Sequence, residues 1–134
     1  MIVRRERGQA IVEFMLVIGI FLALVLWLVC IGQILLAGYT VNQAARAAAH
    51  QAALAGGASS TAYDAAAAVL NAGVGTRADA AQVRIECLRT PCRRYDPITV
   101  NIAYQGAYWA PVAPFFNEFT LESEAVRAAE RDQQ

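Results

Sequence analysis

Charge is scarce in this 134-residue chain: Asp, Glu, Lys and Arg together make up 16% of it, against about 25% in ordinary soluble domains. The formal net charge is zero, and there is no arginine-rich stretch or basic face. Nucleic acid is therefore not an expected partner, because phosphate-binding surfaces need clustered cations. Histidine occurs once and cysteine three times. So few donors make a multi-ligand zinc site hard to assemble, and neither metal nor cofactor is expected. No Ser-His-Asp set or phosphate loop is present, and one histidine leaves little acid–base chemistry. The chain does not read as an enzyme. Its length suits one small domain plus one membrane helix.

What the chain has in excess is apolar surface, 57% of residues, and much of it lies in one block. From Phe14 to Ala45 there is no charge, and the next is Arg46. The block exceeds the roughly 20 residues needed to cross a bilayer. A buried soluble helix is the rival reading, but a chain this short has too little other protein to cover a helix apolar on every side. A cleaved secretory signal is another, yet its apolar region should span only about 7–15 residues before a small-residue site. Arg4, Arg5 and Arg7 precede the block with one opposing charge, Glu6. The positive-inside bias then puts the N-terminus in the cytoplasm and residues beyond about 40 outside.

Glu13 is the odd residue, a carboxylate at the start of the apolar block. Taken alone, it can be an interfacial group, hydrated at the membrane edge and favoured by the helix dipole. Its surroundings add to this. Gly8 is followed by Gln9, Ala10, Ile11, Val12, Glu13 and Phe14, between a basic leader and an apolar helix. The pattern resembles the processing site of type IV prepilins, in which a membrane-embedded aspartic peptidase cuts after the glycine on the cytoplasmic side. Carried over, the resemblance implies a cut between Gly8 and Gln9. Residues 1–8 become a discarded leader, and Glu13 becomes the fifth residue of the mature chain. The new α-amino group, with a pKa near ~7.7–8.0, would be largely cationic and would oppose the helix dipole. A glutamate from a neighbouring subunit would neutralise it, and in related pilins such pairing is thought to set the axial register of subunits. Losing the leader removes three Arg and one Glu, leaving 8 basic and 10 acidic residues.

Beyond the block, Tyr39 to Ala55 is alanine-rich and favours helix. Asn42, Arg46 and His50 form a polar stripe, while Val41, Ala44, Ala45, Ala48 and Ala52 form a small-residue stripe suited to close approach of another element. One long helix over roughly residues 9–55 is expected, ended by Gly56-Gly57. Residues 9–38 are assigned to the membrane and 39–55 to an extracytoplasmic continuation. His50 stands alone, as a solvated helix residue.

The rest, residues 56–134, reads as a small α+β domain. Ser59, Ser60 and Thr61 are N-cap candidates for a second helix ending near Asn71 and Gly73. Val83 to Cys87 alternate apolar and charged as a half-buried strand, and Ile98 to Tyr104 alternate as a second. Pro91 and Pro97 suit the link between them. A proline- and aromatic-rich turn follows, with Tyr108, Trp109, Pro111, Pro114, Phe115 and Phe116. Phe119 to Val126 gives a weaker third strand, although EAVRAAE could also be helical. Cys87 and Cys92 flank the first hairpin and, on the outer side of a membrane, favour a disulfide over two free thiols. Cys30 lies in the span and suits packing or lipid contact.

The segment from Arg7 to Phe14, the NQAARAAA run from Asn42 to Ala49, the ITVNIAY strand and the proline-aromatic turn together resemble the TadE-like pilins of the tight-adherence (Tad) pilus system. The resemblance implies an α+β, type IV pilin-like fold: a long transmembrane helix, a small helix and a three-stranded antiparallel sheet. It implies a minor pilin, or pseudopilin, of a bacterial inner membrane, extracellular once assembled in a pilus. Its partners would be a prepilin peptidase, other pilin and pseudopilin subunits, an inner-membrane assembly platform and the lipid bilayer. The competing reading is a permanently anchored single-pass envelope protein with an external binding domain.

Overall fold

The computed structural model describes residues 6–109 and 117–133. Arg4 and Arg5 of the leader, and Pro111, Pro114, Phe115 and Phe116 of the expected turn, lie outside the described residues. The fold is a long N-terminal helix, a small second helix and a three-stranded antiparallel sheet.

Helix α1 runs unbroken from Glu6 to Ala55, 50 residues, or about 75 Å at ~1.5 Å rise per residue. Its two halves differ. From Gln9 to Val29 every residue is exposed, including Ile11, Phe14, Phe21, Trp27 and Leu28. From Ala37 onward one face is buried: Ala37, Val41, Ala44, Ala45, Ala48, Ala49, Ala52 and Ala53. This is the small-residue stripe, at spacings of three and four, while Asn42, Arg46 and His50 stay exposed on the opposite face. Alanine suits both demands there. It has the best helix propensity, and its single methyl lets neighbours approach the backbone closely.

The helix ends where glycine permits it. Gly56 adopts φ 77°, and its N–H donates to Ala53 O while Gly57 N–H donates to Ala52 O at 2.9 Å. These two bonds satisfy carbonyls that the ending helix leaves free. After a short turn, Ser59 caps helix α2, Ser60–Ala72, accepting from Ala62 N–H. Helix α2 folds back along α1 and buries Ala62, Ala66 and Leu70 against it.

A short 3-10 turn, Ala78–Ala80, leads into strand β1, Ala81–Cys87. Strand β2, Pro97–Ala107, is central and pairs with β1 on one side. On the other it pairs with β3, Glu118–Ala128. Its alternate residues Ile98, Val100, Ile102 and Tyr104 are buried against the helices. The same face carries Val83 and Ile85 from β1, and Phe119, Leu121 and Ala125 from β3. The opposite face is polar, with Arg84, Glu86, Asn101, Glu122 and Glu124 in cross-strand register. Helices on one face and water on the other fit the alternation of an antiparallel sheet. The segment that could have been helical, EAVRAAE, is strand as far as Ala128. Pairing along β2 and packing of the half-buried Ala125 against the core outweigh the helix preference of its Ala and Glu.

The chain after β3 ties the domain together. Ala129 is buried, and Glu130 N–H donates to Ala53 O of α1 at 2.9 Å. Gln133 exchanges two bonds with Cys92, and the Asp132 carboxylate accepts from Arg94 N–H at 2.8 Å. The loop between β1 and β2 is thus fixed to the C-terminal segment, and through it to the end of α1.

Candidate functional site

The segment singled out by its chemistry occupies the exposed start of α1. Gly8 lies inside the helix, which begins at Glu6. Gln9, Glu13 and Phe14 are all exposed. Gln9 and Glu13 stand four residues apart and share one helix face, so a charge at residue 9 and the Glu13 carboxylate would be neighbours. No other described element packs on them. The arrangement is a free helix end carrying one carboxylate at the boundary of a long apolar surface.

That surface runs from Gln9 to about Gln33, some 35 Å of helix at ~1.5 Å per residue, enough to cross a hydrocarbon core of about 30 Å. Its length and composition make α1 a candidate membrane span. An apolar helix exposed all round is stable in lipid, where its backbone is satisfied internally and its side chains face a matching solvent.

Cys87 and Cys92 lie at the far end of the molecule. Their sulfurs are joined, with Cα atoms 5.8 Å apart. Asp96 approaches them, but bridged sulfurs are not thiolate ligands, and the Asp96 carboxylate accepts from Arg93 N–H at 3.0 Å. His50 is exposed, with Nδ1 3.1 Å from Arg127 Nη1. The structure therefore brings Gln9 near Glu13 and Cys87 to Cys92, and keeps the two groups at opposite ends.

One residue escaped the sequence reading. Gln33, in the apolar block, is 3% exposed. Its Nε2 donates to Ala107 O at 2.7 Å and its Oε1 accepts from Trp109 N–H at 2.9 Å. The side chain thus clasps the end of β2 to the helix with both halves of the amide. An amide in a long uncharged run was the available signal, since such a group needs partners once desolvated. The packing between helix and domain therefore begins at Gln33, within the residues assigned to the span, while Cys30 just before it is also buried.

Fold and site together define a class: among the described residues, one candidate membrane helix, continuous with the core of a small α+β domain. Residues 8–50 match the model of the TadE-like protein family. Over that segment, about a third of the chain, it is similar to TadE-like proteins; the match begins at Gly8 and takes in Glu13, the apolar span and the alanine stripe. No curated protein and no solved structure matches the chain.

Proposed function

We propose that the chain is a minor pilin, or pseudopilin, of a tight-adherence pilus system, matured by prepilin peptidase cleavage between Gly8 and Gln9. The observation that carries this reading is the continuity of α1. A single rigid rod is exposed and apolar at one end and built into a folded domain at the other. Such a part can be held in a membrane by its free half and then packed among copies of itself, with its domain displayed outside. The TadE-like match over residues 8–50 supports the assignment to a Tad system.

In this reading the leader sits in the cytoplasm, the span lies in the bacterial inner membrane and the domain faces the periplasm. The Cys87–Cys92 bridge suits that oxidising side. Cleavage frees the α-amino group of Gln9. Glu13, on the next turn, is placed to neutralise such a charge on an adjacent subunit as the two helices align. The role is structural rather than catalytic, with a peptidase, other pilin subunits and an inner-membrane assembly platform as partners.

A second reading, a permanently anchored envelope protein, draws on one observation. The helix already includes Glu6, Arg7 and Gly8, so the Gly8–Gln9 bond lies within helical backbone. A peptidase must unwind that first turn to reach it. Glycine weakens a helical turn by about 1 kcal/mol relative to alanine, and helix ends fray readily. Gly8→Val separates the readings: a branched side chain beside the scissile bond should block maturation and leave membrane insertion intact. If the wild type keeps residues 1–8 with the peptidase present, as the variant does, the leader is permanent.

A further inference from the structure

The end of the domain nearest the apolar half of α1 carries an exposed apolar collar. Leu35, Leu36 and Tyr39 project from the helix, and each is half or more exposed. At the same level of the helix lie Val74, exposed in the loop after α2, and Trp109, exposed two residues past the end of β2. Three separate pieces of chain are held at this level by specific contacts. The Gln33 amide fixes Ala107 and Trp109. Gly73 packs on Thr40 with no room for a Cβ. The Trp109 indole lies so close over Gly75 that a Cβ there would come within 2.6 Å of the ring, leaving the indole 54% exposed.

The height of this collar follows from the helix. With Glu13 at the inner boundary of the hydrocarbon, a core about 30 Å thick at ~1.5 Å per residue ends about 20 residues later, at Gln33. An unpartnered amide at that depth would cost free energy. Gln33 avoids this by bonding both amide groups to backbone at and just beyond the end of β2, Ala107 O and Trp109 N–H, which brings Trp109 to the same level. Amphipathic rings such as Trp and Tyr favour the membrane–water interface, with the apolar ring inward and the polar tip wet. The charged residues bordering the cavity beside Trp109 are Arg77 and Glu118, one of each sign, so no net charge there selects anionic lipid.

We propose that this collar seats the domain on the outer surface of the bilayer, with Trp109 in the lipid interface, so that the domain rests on the membrane rather than standing clear of it. The proposal rests on α1 spanning the membrane, and the test separates the two. The chain has two tryptophans, Trp27 and Trp109. The full chain would be reconstituted in phosphatidylcholine vesicles whose acyl chains are brominated either near the headgroup or near the chain terminus. Trp27→Phe reports Trp109 alone, and Trp109→Phe reports Trp27 alone. The expected result is loss of Trp109 emission with the shallow bromine and much less with the deep one, while Trp27 is quenched more by the deep one. Anionic lipid should not change the Trp109 result. A quenched Trp27 with unquenched Trp109 overturns the seating and leaves the span intact. An unquenched Trp27 overturns the span itself. Trp109 emission that is blue-shifted, unquenched and dependent on protein density would assign the collar to a second copy of the chain. In the background of Trp27→Phe, Gln33→Leu should reduce the shallow quenching, and unchanged quenching would refute the role given to the clasp.

Discussion

Ala66 and Ala68 stand two residues apart on α2, and the same substitution should be costly at the first and nearly neutral at the second. Ala66 is fully buried in the cluster where α2 meets the alanine face of α1, whereas Ala68 is exposed. Leu70 fills the next turn of that contact and is itself fully buried. Ala66→Leu adds three carbons where the opposing helix offers only the methyls of residues such as Ala44, Ala45, Ala48 and Ala49 and cannot retreat without lifting off the sheet. Overpacking of this kind costs about 1–3 kcal/mol. For a domain of roughly 75 ordered residues, each kcal/mol moves Tm by about 4–8 °C, so the variant should melt about 4–24 °C lower. Ala68→Leu keeps a good helix former on a solvated face and should stay within about 0.5 kcal/mol of wild type. The assay is thermal unfolding of the full chain in detergent, followed by near-ultraviolet circular dichroism. Tyr104, Tyr108 and Phe119 supply a local signal, with ring centroids 5.2 and 6.3 Å apart across the two pairs. Equal shifts for the two variants would refute the claim that close alanine packing holds the domain to the helix.

Other outcomes follow from the same structure. Reduction of the Cys87–Cys92 bridge, whose partners are five residues apart, should lower stability by about 2 kcal/mol on the chain-entropy account, read as a lower Tm in reductant. Gly56→Ala would place a Cβ 2.6 Å from Arg131 O at a residue with φ 77°, so it should destabilise by about 1–3 kcal/mol in the same melt. Glu13→Ala should still be matured yet incorporate poorly into pili, as measured by pilus yield at equal membrane abundance. Normal yield would reduce Glu13 to an interfacial carboxylate.

Much of the fold was legible because its periodicities are clean. The apolar block, the alanine stripe at helical spacing and the alternation in β1 and β2 each specify one element, and the Gly56-Gly57 pair specifies where α1 stops. Ser59 could be read as a cap because its neighbours Ser60 and Thr61 precede a run of helix formers. What could not be read depends on distant partners. Strand β3 was ambiguous because Ala125 and its neighbours favour helix locally, and only the pairing with β2 decides their state. Gln33 gave no hint of its partners, since Ala107 and Trp109 lie more than 70 residues away. The tethering of Gln133 to Cys92 is likewise a tertiary bond between polar side chain and backbone, without a local pattern. At the candidate site the sequence named Gly8, Gln9, Glu13 and Phe14 by resemblance. The structure adds that all four lie in helix, that Gln9, Glu13 and Phe14 are exposed, and that Gln9 and Glu13 stand four positions apart, one turn of helix.

The central claim is that the leader, residues 1–8, is temporary and that α1 from Gln9 onward is an assembly element. Intact-mass measurement of the membrane-extracted chain, made with and without a prepilin peptidase, tests this most directly. The account predicts a full-length chain without the peptidase and an N-terminus at Gln9 with it. An intact leader in both samples would contradict it and leave a permanently anchored envelope protein.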